Sequence, residues 1–183
     1  MPSTLPSLLT ATDLPDTELQ AAALDGDVFR LDRVFCSIAE FDVPWRRASV
    51  FDASEVFVVA RLSAAWVWGA LASAPRVHEV FRDGRGKNGS ETEGLRVSAT
   101  AVHASDIVDF GGPGAPRRVT SPTRTVVDLC RSPEFDEPAA EVVRRLVREH
   151  RVDRAGCDAV LDRARSLPHR LAARERLADL GLV

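Results

Sequence analysis

What this 183-residue chain lacks narrows its chemistry early. It has no GxSxG, no Walker loop and no HExxH, so none of the familiar frames for a nucleophile, a phosphate cradle or a catalytic zinc is present. GRGKNGS, Gly84 to Ser90, has the glycines of a phosphate loop but neither its spacing nor a following helix. It reads as a solvated hairpin loop. His78, His103, His150 and His169 fall singly on different elements, each read as a surface or strand residue. Asp106 and Asp109 lie three apart, which on a strand points them to opposite faces and argues against a shared site. No enzyme is expected, and no cofactor or metal.

Cysteine is scarce. Cys36, Cys130 and Cys157 are far apart, with no CxxC and no histidine at ligand spacing, so buried, idle thiols in a reducing compartment are expected. Long apolar runs are missing too. The most apolar segment, Glu55 to Ala74, is interrupted by Arg61 and reads as a buried strand plus a helix, not a membrane span. The start, MPSTLPSLLTATDLPD, has no basic region and no apolar run of signal-peptide type, which points to the cytoplasm.

With 45% hydrophobic and 28% charged residues the composition is that of an ordinary globular protein. The net charge of −3 hides a gradient. Residues 1–60 hold 4 Arg against 10 Asp and Glu, residues 61–116 are balanced at 6 each, and residues 117–183 hold 14 Arg against 11 acids. An electrostatic footprint for nucleic acid therefore belongs toward the C-terminus.

Three blocks follow from periodicity and breakers. In residues 1–42, Leu5, Leu8 and Leu9 suggest a first short helix, ended by ATDLPD. A second helix opens at Pro15 or Asp16, buries Leu19 and Ala23, and stops at Gly26. DVFRL and RVFCSI then alternate as two strands around an Asp32-Arg33 turn. Together these are the outline of a winged helix-turn-helix.

From residue 43 the pattern is mixed. Pro44 starts a helix, VFVVA reads as a strand, and SAAWVWGALA as a helix with Ser63 near its N-cap. RVHEVF, GLRVSATAV and DIVDF are strand-like, and a turn-rich link, GGPGAPR, leads on into RRVTS. SPTRTVVDLCR is a helix with Ser121 as N-cap and Pro122 at its first position. Three amphipathic helices fill 137–180. The expected class is thus α+β: a winged-helix-like domain over 1–42, then a second domain over 43–183, mixed to about residue 131 and helical beyond.

TSPTRTVVDL admits two readings. In one, Arg124 simply pairs with Asp128 at i,i+4. In the other, Thr120, Thr123, Arg124 and Thr125 form a polar patch at a helix N-terminus able to hold a phosphate or a partner's carboxylate.

Three stretches, in order and spacing, resemble one family. LDGDVFRLDRVFCSI, RLSAAWVWGAL and VTSPTRTVVDLCR are similar to the wing, the central helix and the following helix of AbiEi-type antitoxins and their actinobacterial relatives, over most of residues 5–135. The arginine-rich tail is similar to the helices that follow there. The resemblance implies a type IV antitoxin that represses its own promoter through a winged helix. The C-terminal part would counter a nucleotidyltransferase-like toxin. Longer relatives carry a restriction-endonuclease-like domain after this point; since the chain stops at ADLGLV, that domain is expected to be missing.

The departure lies in the recognition helix, where arginines in the family give way to DTELQAAALDG. Asp16, Glu18 and Asp25 repel phosphates, leaving Thr17 and Gln20 for base edges and Arg30, Arg33, Arg46 and Arg47 for phosphates. Arg144, Arg145, Arg148 and Arg151, with Arg124, would form a second basic surface for DNA or toxin, or else a solvated helix face. A homodimer would strengthen binding. The rival expectation is a protein-interaction module whose winged helix no longer binds DNA and whose acidic N-terminal face docks a basic partner or a second copy.

Overall fold

The computed structural model describes residues 6–82, 90–92, 94–111, 114–164 and 167–182. The expected helix at Leu5 to Leu9 is not formed by its described part. Leu9 instead pairs with Phe35 through two backbone hydrogen bonds of 2.7 and 2.8 Å, extending the neighbouring hairpin. Leu5, most of the GRGKNGS loop and Gly112 and Pro113 lie outside the described residues.

Helix α1 (Asp16–Asp25) follows Pro15 and ends at Gly26, whose φ of 83° is the left-handed stop that a side chain would strain. The hairpin of β1 (Val28–Leu31) and β2 (Val34–Ser37) turns at Asp32, itself left-handed at φ 57°. Leu9, Leu19, Val28 and Phe35 make a small core of their own. The other face of the hairpin, Leu31 and Val34, joins a second core with Ala48, Val59, Trp66, Val80 and Val119. Helix plus hairpin is thus anchored on the rest of the chain, as such a small unit needs.

The larger part is a six-stranded mixed sheet. Its strands are β3 (Phe57–Val59), β4 (His78–Arg82), β5 (Ser90–Thr92), β6 (Leu95–Ala99), β7 (Ile107–Asp109) and β8 (Arg118–Thr120), in the order β5-β6-β4-β3-β8-β7. β4–β6 and β3–β8 are parallel and the other neighbours antiparallel. Strand alternation sorts Val59 and Val80 toward the core shared with the hairpin, and Val58 and Phe81 toward a second cluster with Ala60 and Val102.

Helices α2 (Pro44–Ala48) and α3 (Arg61–Val67) flank the sheet. Ser63 lies inside the first turn of α3 and Ala60 is its N-cap, because the Ser63 hydroxyl is engaged by the backbone N–H of Glu79 at 2.8 Å. Helix α4 (Pro122–Cys130) begins as its sequence requires: Ser121 Oγ accepts from the Arg124 N–H. Residues 124–130 are all buried, and α4 packs against α3 and against α5 (Glu137–His150), α6 (Arg154–Arg163) and α7 (Arg170–Asp179). Asp136 and Asp153 cap α5 and α6. Val126, Val127, Val143, Leu146, Leu161 and Leu177 fill the core between these helices. Among the described residues no helix is long and apolar enough to cross a membrane. The architecture is mixed α+β.

All three cysteines are buried and free. Burial is the main cause that pushes the Cys130 and Cys157 thiols up to about 12. Native protein at pH 8 is therefore expected to resist a thiol-specific chromogenic reagent until denaturant is added; immediate labelling of Cys130 or Cys157 would contradict this packing.

Asp32 supplies a pH signature. Burial pushes its carboxyl up, but the hydrogen bond and charge of His78, joined by Arg33, outweigh this and hold it below its ordinary value. A depressed folded-state pKa adds stability above the unfolded carboxyl's pKa of about 3.9, and that stability is lost as pH falls through the lower folded value. Asp32→Asn is expected to flatten this part of the acid unfolding curve below about pH 4, read by circular dichroism. An unchanged curve would remove Asp32 from the acid response.

Candidate functional site

Two of the residues expected to contact phosphates sit on the surface. Arg30 and Arg33 flank the hairpin turn and are exposed, Arg30 Nε donating to the Asp32 carbonyl at 2.7 Å. Thr17 and Gln20 are exposed on α1, where Gln20 Nε2 donates to Asp16 Oδ2 at 2.8 Å. Asp16, Glu18, Asp25 and Asp27 are exposed around them, so the potential over α1 is that of the acids.

Arg46 and Arg47 lie elsewhere than expected, at 3% and 8% exposure. Arg47 makes a two-pronged pair with Asp42 (2.7 and 2.6 Å) and donates to the carbonyls of Trp66 and Leu71 at 2.5 and 2.8 Å. Arg46 donates to Cys36 Sγ at 3.1 Å and to Glu40 Oε2 at 2.6 Å. Neither is available to a phosphate, since withdrawing it strands buried carbonyls and a carboxylate. The signal that could have shown this was Glu40 and Asp42, placed upstream to receive them.

The C-terminal arginines do not form one surface. Arg144 binds Glu137 and Glu141 at 2.7 and 3.4 Å, while Arg145 is half-buried and reaches the Ala70 carbonyl at 3.4 Å. Arg148 and Arg151 are exposed, Arg151 as the left-handed cap of α5. Arg124 is at the opposite extreme, 1% exposed.

Arg124 is the centre of a feature that sequence reasoning only touched. Its Nε donates to Asp128 Oδ2 at 2.8 Å, as the i,i+4 reading required, and its Nη1 stands 3.5 Å from Asp106 Oδ2. Asp106 is buried in a short 3-10 turn before β7, and it also receives Arg163 Nη2 from α6 at 2.5 Å. Asp128 receives Arg131 at 2.8 Å. Asp109 is exposed on β7, whereas Asp106 precedes that strand, so the alternation expected to separate the two does not apply to them. Across this network lies a cavity of about 1000 Å³ whose lining, among the described residues, includes Arg61, Arg96, Arg124, Arg131, Arg163 and the carboxylate of Asp106. Arg61 pairs with Glu79 at 3.2 Å, and both Arg61 and Arg124 lie against the Phe81 ring. Thr120, Thr123 and Thr125 do not join the cavity wall; Thr120 and Thr125 bond each other at 2.8 Å in the interior.

A second constellation invites an enzymatic reading and does not support it. Ser63 Oγ, His78 Nδ1, His78 Nε2 and Asp32 Oδ2 form a chain with steps of 3.3 and 3.1 Å, in the serine–histidine–aspartate order. Ser63 is wholly buried within α3, and its oxygen already accepts the Glu79 N–H. No carbonyl carbon can approach it, so the chain serves to tie the hairpin turn to β4. Among the described residues no group of three or more His, Cys, Asp or Glu is placed to hold a metal ion.

Comparison with known protein families and with curated proteins returns no match for this chain.

The ion network gives a direct expectation. Arg124→Ala leaves Asp106 and Asp128 buried with fewer partners and should cost about 3–5 kcal/mol in urea unfolding, whereas exposed Arg148→Ala should change stability by less than about 0.5 kcal/mol. Equal effects of the two substitutions would refute the assignment.

Proposed function

We propose that this chain is a non-enzymatic regulator of the AbiEi antitoxin type that acts by binding a basic protein partner through its N-terminal unit. The partner implied by the resemblance is a nucleotidyltransferase-like toxin. The observation that carries the reading is the surface around α1 and the hairpin. Leu24 and Phe41 are 90% and 81% exposed, Ile38 and Trp45 are also exposed, and the exposed acids Asp16, Glu18, Asp25 and Asp27 belong to the same N-terminal stretch. Exposed large apolar side chains and surface carboxylates on one small unit suit a basic protein surface, which buries the former and pairs the latter. They suit DNA poorly.

Operator DNA is the second reading, favoured by exposed Arg30 and Arg33 on the wing. With Arg46 and Arg47 engaged internally, two wing arginines neutralise about two phosphates, which predicts weak binding with a shallow salt slope.

One paired experiment separates the readings. Co-expressed nucleotidyltransferase-like toxin should co-elute with the chain and lose its growth arrest, and Phe41→Ser with Ile38→Ser should weaken the complex at least tenfold by calorimetry. Fluorescence anisotropy with DNA from the gene's own upstream region, at about 50 and 200 mM salt, should show no specific binding. Specific, salt-sensitive DNA binding abolished by Arg30→Ala with Arg33→Ala, in the absence of a toxin complex, would replace the first reading with the second.

A further inference from the structure

We propose that the arginine-lined cavity between the sheet and α6 binds a phosphorylated small molecule of about nucleotide size, its phosphoryl groups held by Arg61, Arg124 and Arg163. The inference goes beyond the partner-binding reading and does not rest on it.

The first observation is an unsatisfied donor. Arg124 lines the cavity and is 1% exposed; among the described residues its Nη2 has no hydrogen-bond partner, while Nε and Nη1 are directed to Asp128 and Asp106. Buried polar groups are nearly always hydrogen-bonded, and a charged one left without a partner is costly. A small turn of the guanidinium toward the cavity would let an anionic oxygen there supply that acceptor.

The second is the charge imbalance. Among the described residues the lining holds the guanidinium groups of Arg61, Arg124, Arg131 and Arg163, together with Arg96, and the carboxylate of Asp106, with Asp128 and Glu79 behind. The crowding is felt by Arg131. Burial, together with the like charges of Arg124 and Arg61, pulls its pKa below the ordinary value although Asp128 opposes this. Guanidinium stays protonated in proteins, so these cations share few carboxylates and attract a further anion.

The third is backbone strain at the rim. Arg61 adopts φ 50° at the first position of α3, a left-handed conformation that costs a non-glycine residue of order 1 kcal/mol or more. That conformation accompanies a guanidinium held between Glu79 and the Phe81 ring at the cavity edge. Arg61, Arg124 and Arg163 come from three different helices and converge on one space. Forked donors from separate directions match the several oxygens of a phosphoryl group better than the two of a carboxylate.

The size fixes the rest of the ligand. A cavity of about 1000 Å³ is far larger than a single phosphate needs and lies at the upper end of small-molecule sites. Val97, Ala99, Val102 and Leu167 give it an apolar wall on which a base or similar group can rest.

The test is isothermal titration calorimetry of the intact chain at about 50 mM salt with EDTA, using inorganic pyrophosphate, ATP and adenosine as probes. Pyrophosphate and ATP should bind and adenosine should not. Arg61→Gln, and Arg163→Lys, which keeps a cation beside Asp106 but loses the fork, each confirmed folded by circular dichroism, should weaken pyrophosphate binding about tenfold, as loss of one charge-assisted hydrogen bond implies. The proposal is overturned if neither anion binds up to millimolar concentration, if adenosine binds as tightly as ATP, or if both folded variants bind like the parent chain. It is equally overturned if a short single-stranded oligonucleotide binds while both small anions do not, which would make the cavity a nucleic-acid contact.

Discussion

A pair of opposite charges buried inside one helix, Arg124 and Asp128, constrains most of what surrounds it. Removing two ions from water is expensive, and their mutual attraction offsets the cost only when further partners complete the shell. Asp106, Arg131 and Arg163 are those partners, and they come from the turn before β7, the end of α4 and α6. Satisfying the pair therefore sets how α4 sits between the sheet and the C-terminal helices. The apolar residues of the same helix, Val126, Val127, Leu129 and Cys130, then close the helical core against α3, α5, α6 and α7. The shell is not complete, because one nitrogen of Arg124 has no acceptor among the described residues. That single open donor is what turns a structural ion pair into a candidate binding site.

A comparable clamp joins the N-terminal unit to the rest. Arg47 draws Asp42 and the carbonyls of Trp66 and Leu71 together, Arg46 ties Cys36 to Glu40, and the Asp32–His78–Ser63 chain fastens the hairpin turn to β4 and α3. These polar links lie around the apolar contact of Leu31 and Val34 with the sheet face. Arg46 and Arg47 are thereby held inside, while Arg30 and Arg33, the acids of α1 and the large apolar side chains of Leu24 and Phe41 stay on the surface.

Periodicity made much of the secondary structure legible. Helices α1, α4, α5, α6 and α7, the hairpin and its Asp32 turn, and strands β3, β4, β6 and β7 stand close to where capping residues and alternation placed them, whereas β5 falls in a stretch that reads as a loop and β8 in one with no strand signal of its own. Leu8 and Leu9 misled, because two leucines in a short segment fit a helix or an edge pairing equally well, and only the exposed backbone of Phe35 chose the latter. Ser63 misled for a related reason: a serine near a helix start looks like a cap until another strand's N–H claims its hydroxyl. The Arg124–Asp128 spacing was readable from i,i+4 geometry, whereas Asp106 and Arg163 are 18 and 57 residues from their contacts and no local pattern announces them.

Local rules, acting over four residues or fewer, determined the helices, the turns, the idle cysteines and the charge gradient, since each depends on neighbours along the chain. Tertiary structure decided which arginines are surface and which are interior, because a guanidinium's environment depends on acceptors brought from distant segments. Arg30 and Arg46 carry the same charge and sit in equally unremarkable stretches of sequence. One ends in solvent beside a turn and the other between a thiol and a carboxylate, and packing alone makes that distinction.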